Sequence, residues 1–154
     1  MASLDRFTHA QATPSAGIAV ALSELRAGRK TSHWIWYVFP QLAGLGHSAT
    51  ARFYELRGLD ETCAYLRDPQ LRTNYLLAVE IVARQLAAGV SLERLMGGKT
   101  DALKLVSSLT LFEHAAAANF PQLATLCREI LARAGTQGFP RCAFTQTHCA
   151  DFNG

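Results

Sequence analysis

The chain lacks any Cys-x-x-Cys pair, and its four cysteines, Cys63, Cys127, Cys142 and Cys149, are widely spaced. Reduced thiols fit that pattern better than a disulfide framework. Cys142, His148 and Cys149 could supply part of a metal site, but structural zinc takes about four placed ligands, so no metal is expected. There is no apolar run approaching the roughly 20 residues that cross a bilayer. Asp5 and Arg6 interrupt the start where a secretory leader would be apolar, and the expectation is a soluble cytoplasmic protein without a membrane partner. Charge of one sign is also scarce: 15 basic residues against 12 acidic leave +3, and the one tight cationic cluster is Arg26, Arg29 and Lys30. That is too little for a nucleic-acid interface, although it suits a phosphate-bearing small molecule.

Other absences narrow the chemistry. No Gly-x-Ser-x-Gly elbow, His-Glu-x-x-His pair or paired-carboxylate motif occurs. Gly97-Gly98-Lys99-Thr100 resembles the end of a Walker loop, but Glu93 stands where that pattern needs its first glycine, and a helix rather than a strand is expected before it. An ordinary nucleotide-hydrolysing P-loop is therefore excluded. The segment reads instead as one helix ending and another beginning, a place that can hold an anion. No valine- or isoleucine-rich alternation signals a sheet, so the fold class is all-α.

What the chain does have is apolar content, 49% of 154 residues, enough for one compact domain with its own core. Cap and breaker residues divide it into about six to eight helices. Ser3 caps a helix over 4–11; Thr13 and Pro14 open a second that ends near Gly28; Ser32 caps a short turn. Ser48 starts a segment over 49–56, and Asp60 another over 61–66. Asp68-Pro69 opens the longest amphipathic stretch, to about 88, and Ser91 caps a short helix. Thr100 or Asp101 caps a helix to about 118, and Pro121 begins one that ends at Gly135. Residues 136–154 show no period and are expected to form an irregular tail. Phe-Pro-Gln-Leu-Ala at 39–43 returns at 120–124. One copy runs into a glycine loop and the other into a helix, which points to coincidence rather than a repeat.

Two segments stand out. Both tryptophans, a tyrosine and a phenylalanine lie between residues 34 and 39, followed by Pro40, Gln41 and the turn Gly44-Leu45-Gly46. Such aromatics either fill a core or stack on a flat ligand. The helix near 101–118 is apolar almost all round, so it belongs inside, which places Lys104, Ser107, Ser108 and Thr110 in or near the interior. Either the hydroxyls bond back to helix carbonyls while Lys104 reaches outward, or they line a ligand pocket.

Leu4-Asp5-Arg6-Phe7, Ala27-Gly28-Arg29-Lys30, Ser32-His33-Trp34, Phe39-Pro40-Gln41, Gly44-Leu45-Gly46, Ala51-Arg52-Phe53-Tyr54, Asp101-Ala102-Leu103-Lys104-Leu105 and Ser107-Ser108-Leu109-Thr110-Leu111-Phe112 together resemble a bacterial family. It is the domain of unknown function family 1810, sometimes mislabelled calpastatin, and the likeness spans about residues 3–131. The resemblance implies a compact, mostly helical domain of unusual topology and no established activity. The segment from Cys142 to Gly154 departs from the family's charged, phenylalanine- and glycine-containing end. A looser likeness of general character, not of matched residues, is to small helical proteins that act on NAD-derived and ADP-ribose compounds.

The expected function is a small-molecule pocket for a nucleotide-like or ADP-ribose-like ligand, with hydrolysis of an N-glycosidic bond as its reaction. Trp34 would stack on the base, Lys104 and Arg52 would neutralise phosphate, Ser107 or Ser108 would orient the ribose, and Gln41 would line the pocket. Asp101 would steady an oxocarbenium ion or activate water, with His33 as the acid. No cofactor is expected. The rival expectation is a non-enzymatic module that docks a protein partner on the aromatic loop 33–47.

Overall fold

A computed structural model of the chain describes residues 4–152, and these are helical with one isolated bridge. The helices are α1 (Asp5–Gln11), α2 (Ile18–Arg26), α3 (Ile35–Val38), α4 (Ala49–Tyr54), α5 (Leu59–Arg67), α6 (Pro69–Ala87), α7 (Leu92–Leu95), α8 (Lys99–Ala116), α9 (Pro121–Thr136) and α10 (Ala143–Phe152). Ten helices among the described residues exceed the six to eight expected. None is long and apolar enough to cross a membrane.

The centre is α8, whose residues 105–112 are all buried. Helices α5, α7, α9 and α10 pack around it, and α6 closes against α2 and α9. An aromatic column threads this core. Phe7 meets Tyr65 edge-on at 5.1 Å between centroids, Tyr65 meets Phe112 at 5.4 Å, and Phe112 stacks on Tyr75 at 3.9 Å. Phe39 and then Trp34 extend it. Each edge-on or stacked pair contributes about 0.5–1.5 kcal/mol beyond the area it buries. A polar thread runs beside the column: Gln11 donates to the Tyr37 carbonyl and to the Tyr65 hydroxyl, and Asn74 donates to Gln11. Burial pushes the phenols of Tyr65 and Tyr75 well above the ordinary tyrosine range, so both act as neutral hydroxyls.

Several expected caps are present. Ser48 accepts from the Ala51 amide, Asp68 from the amides of Gln70 and Leu71, and Ser91 from Arg94, while Pro121 occupies the first turn of α9. Ser3 lies outside the described residues. Asp60 lies inside the first turn of α5, which begins at Leu59 after Gly58, and four other expectations fail for identifiable reasons. Helix α2 starts at Ile18, not at Pro14, because the Thr13 hydroxyl turns back to His9 and the chain makes a tight turn closed by Gly17. A Cβ at Gly17 would lie 2.3 Å from the Thr13 carbonyl oxygen and 2.4 Å from that of Gln11. Ser32 does not cap α3, since its hydroxyl is bound to Glu24. Helix α8 starts one turn early, after Gly98, so Thr100 and Asp101 lie inside its first turn and Asp101 is free to pair elsewhere.

The fourth correction is the tail, where α10 replaces the expected irregular segment. Its inward residues include Thr145 and Cys149, both fully buried and four positions apart, a spacing that shares one helix face. A stripe of one threonine and one cysteine is too short to register as an apolar period. Arg141, just ahead of α10, makes a two-pronged bond to Glu113 at 3.3 and 3.0 Å, and the Cys142 amide donates to Thr110. Phe144 lies over Gly44 so closely that a Cβ there would come within 2.9 Å of its ring. The loop at 41–46 is thus held on one side by α10. On the other, the Ala43 amide donates to Leu56 and the Leu56 amide donates to Gln41.

Candidate functional site

The polar groups gather where the end of α2, the 27–34 loop and the start of α8 meet. Gly28 turns the chain out of α2 at φ +85°, and the Lys30 amide then donates to the Leu95 carbonyl of α7 at 2.7 Å. The next turn presses so closely on this strand of chain that a Cβ at Gly97 would lie 2.7 Å from the Lys30 carbonyl oxygen. At φ +76° that position also disfavours any side chain. The Gly97-Gly98 turn therefore sets the first turn of α8 directly against Lys30.

Glu24, on α2, fastens the loop. Its Oε1 accepts from the amides of Thr31 (2.7 Å) and Ser32 (2.9 Å) and from the indole N–H of Trp34 (3.0 Å), while Oε2 accepts from the Ser32 hydroxyl at 2.5 Å. Partial burial alone would raise this carboxyl, but the Ser32 hydroxyl, the two amides and the indole outweigh it and hold the group down to about 2. Trp34 has no exposed surface and covers the Lys30 ammonium, whose Nζ lies 5.0 Å from the ring.

Asp101 lies between two ammonium groups. Lys30 Nζ is 2.7 Å from Oδ2, and Lys104 Nζ is 3.6 Å from Oδ1. The Lys30 side chain is 5% exposed and also donates to the Ser32 carbonyl, whereas Asp101 and Lys104 keep 23% and 26% of their surfaces. In the first turn of α8 the carboxylate is further favoured by the unpaired helix amides. Lys104 Nζ also lies 5.0 Å from the ring of half-buried Trp36. One deep ammonium, one bridging carboxylate, one water-reaching ammonium and one partly open indole thus share a corner.

Of the residues expected at a site, Asp101 and Lys104 meet here. Trp34 is adjacent but enclosed, so its ring has no face for a ligand; Trp36 is the half-buried one of the two rings. Ser108 is fully buried and bonded to the Tyr75 hydroxyl at 2.9 Å. Ser107 is buried and donates to the Leu103 carbonyl at 3.0 Å. The Ser108 hydroxyl is thus sealed in the core, and the Ser107 hydroxyl is turned back to its own helix. The His33 side chain is exposed, and its carbonyl accepts from Tyr37. Arg52 is exposed on α4, and Gln41 belongs to the loop paired with Leu56; neither is tied to Asp101 by a hydrogen bond or ion pair. Glu24 escaped the sequence reading, since a carboxylate on the outer half of an amphipathic helix carries no local sign of a partner ten residues on. Lys30 was visible as part of a cationic cluster, with nothing to show that it alone turns inward. In the aromatic loop Trp34, Ile35, Val38 and Phe39 are buried, whereas Trp36, Gln41 and Leu45 are half-buried and His33 and His47 are exposed.

Among the described residues no group of three or more His, Cys, Asp or Glu side chains could hold a metal ion. Cys142, the partial ligand suggested by the sequence, leads into α10: its amide donates to Thr110 of α8, and the Thr145 hydroxyl donates to its sulfur at 3.2 Å. Desolvation would raise this thiol, but hydrogen bonds from Ser107, Thr145 and the Thr145 and Phe144 amides prevail and lower it. Burial pushes Cys127 and Cys149 up.

No curated protein matches the chain. Among solved structures it is similar to the crystal structure of the conserved hypothetical protein Rv1873 from Mycobacterium tuberculosis, at 37% identity, covering 96% of each chain with a TM-score of 0.78. A family model described as a protein of unknown function, DUF1810, matches residues 1–134, which contain the whole Glu24–Lys30–Asp101–Lys104 corner. The chain belongs to the DUF1810 family.

Proposed function

We propose that the Lys30–Asp101–Lys104 corner, with Trp36, binds a nucleotide-like or ADP-ribose-like ligand. The observation that carries this reading is the position of Lys104 Nζ, 3.6 Å from the Asp101 carboxylate and 5.0 Å from the Trp36 ring on a side chain still 26% exposed. A phosphate would take the ammonium, a planar base would lie on the open part of the indole, and the sugar between them would face Asp101. Lys30 supplies the charge beneath that keeps the carboxylate in place.

The finer proposal is hydrolysis of the ligand's N-glycosidic bond. In that reaction positive charge develops on the ribose ring, and a carboxylate fixed in advance stabilises it without reorganising. The role falls on Asp101. The exposed imidazole of His33 has no contact that brings it to Asp101, so the proposal assigns it no step.

A thermal-shift series against nucleotides, nucleosides, NAD, ADP-ribose and sugar phosphates tests the binding. A ligand at about a hundred times its dissociation constant adds about 2.7 kcal/mol, roughly 5 to 10 °C here. A hit lost in both Lys104→Ala and Trp36→Leu supports the site, and chromatography of the bound compound before and after incubation tests the cleavage. A flat series, or a hit indifferent to both variants, overturns the proposal.

A further inference from the structure

A second site lies away from that corner, where the first half of α6 meets the start of α9. Arg72, Leu76, Asn119, Phe120, Pro121, Gln122 and Leu123 line an open groove of about 400 Å3, within the range of small-ligand pockets. Most of the lining is apolar, but one end is cationic.

Two independent features make that end. The Arg72 guanidinium is fixed in place: Nη1 donates to the Leu66 carbonyl at 2.9 Å, and its carbon lies 5.0 Å from the Phe120 ring. One nitrogen is thereby occupied, while no bond commits Nε and Nη2. An arginine held over an aromatic ring with donors to spare is arranged to take a planar two-oxygen anion. The second feature is the start of α9, a helix of 16 residues whose N-cap, Phe120, offers no side-chain acceptor. Pro121 has no N–H, so the amides of Gln122 and Leu123 are the donors left at this helix end, and both residues line the groove.

We infer that this groove binds a small organic carboxylate with an apolar body, its carboxylate on Arg72 and the first amides of α9 and its body against Leu76, Phe120, Pro121 and Leu123. The charge balance favours a monoanion: one guanidinium and two amide dipoles match a single negative charge, whereas a phosphate dianion would need a second cation. The apolar lining requires more than a bare anion. This site does not depend on the proposed nucleotide corner, and its residues lie on different elements.

Titration of the 15N-labelled protein with 3-phenylpropanoate, alongside the neutral 3-phenylpropanamide, tests it. The expected result is saturable shifts at Arg72, Phe120, Gln122 and Leu123 with the acid, and affinity at least about tenfold weaker with the amide. Arg72→Met keeps an apolar stem on Phe120 without the charge and is expected to weaken the acid about tenfold. Because it also loses the bond to Leu66, Asn119→Asp provides a second check: a carboxylate before a helix start does not oppose folding, yet it repels an anion in the groove. Equal binding of acid and amide, shifts unaltered in both variants, or no shift at these residues would overturn the inference.

Discussion

Replacing Glu24 separates a structural tether from an ordinary surface acid. Three of its four hydrogen bonds converge on Oε1, and one of those donors is the indole N–H of fully buried Trp34. Glu24→Ala leaves that N–H without an acceptor, at about 1–3 kcal/mol. The Thr31 and Ser32 donors are nearer water, which replaces much of what they lose, so their combined share is about 1 kcal/mol. The expected total is about 2–4 kcal/mol, or roughly 5–12 °C in Tm for a domain of this size. Glu24→Gln retains a carbonyl oxygen for the three Oε1 bonds and is expected to cost about 1 kcal/mol. A carboxyl lowered from 4.5 to about 2 stabilises the fold above its unfolded value and stops doing so as pH falls through its folded value. The gap between wild type and Glu24→Gln should therefore close between pH about 5 and about 2. Urea unfolding followed by tryptophan emission at several pH values measures all of this. A loss under about 0.5 kcal/mol in Glu24→Ala, or a gap to Glu24→Gln that does not change with pH, would refute the argument.

Gly17→Ala forces a methyl onto two backbone oxygens at 2.3 and 2.4 Å, and a drop of about 2–3 kcal/mol in urea unfolding is expected. Tyr75→Phe removes the partner of the buried Ser108 hydroxyl and should cost about 1–2 kcal/mol, whereas adding Ser108→Ala should restore part of that loss; a fully additive double mutant would show that the pair is uncoupled. Iodoacetamide near neutral pH should label Cys142, lowered and half-exposed, well before Cys127 and Cys149, which are buried and raised. Peptide mass spectrometry reads the order, and equal rates would contradict it.

The parts of the fold that follow from local rules were legible in the sequence. Asp68 before Pro69 and Ser91 before Leu92 announce their helices because the cap interacts with amides two or three residues on. The centrality of α8 was legible because residues 105–112 leave no polar face. What depended on contacts far along the chain was not. Thr13 and Ser32 both looked like caps, but one hydroxyl belongs to the preceding helix and the other to Glu24. Helix α10 was hidden because its inward stripe is built from Thr145 and Cys149. At the candidate corner, residue type singled out Asp101 and Lys104, which the fold brings together, while which of two neighbouring tryptophans keeps exposed surface depends on the direction of α3, where Glu24 binds the Trp34 indole.

The polar thread through Gln11 bears on the order in which the molecule assembles. Gln11 meets Tyr65 and Asn74 at separations of 54 and 63 residues, and Arg6 meets Glu55 and Glu61 at 49 and 55. Helix α1, at seven residues, is too short to persist alone in water. Its partners are on α3, α5, α6 and the segment before α5, 26 to 63 residues away, so closing those long loops comes before any gain from docking it. The α6–α8–α9 core can form first, with α1 arriving as one of the last pieces and the first to open again. Amide exchange in the native protein should then find α1 among the least protected helices despite the complete burial of Phe7, because protection follows the cost of opening rather than depth.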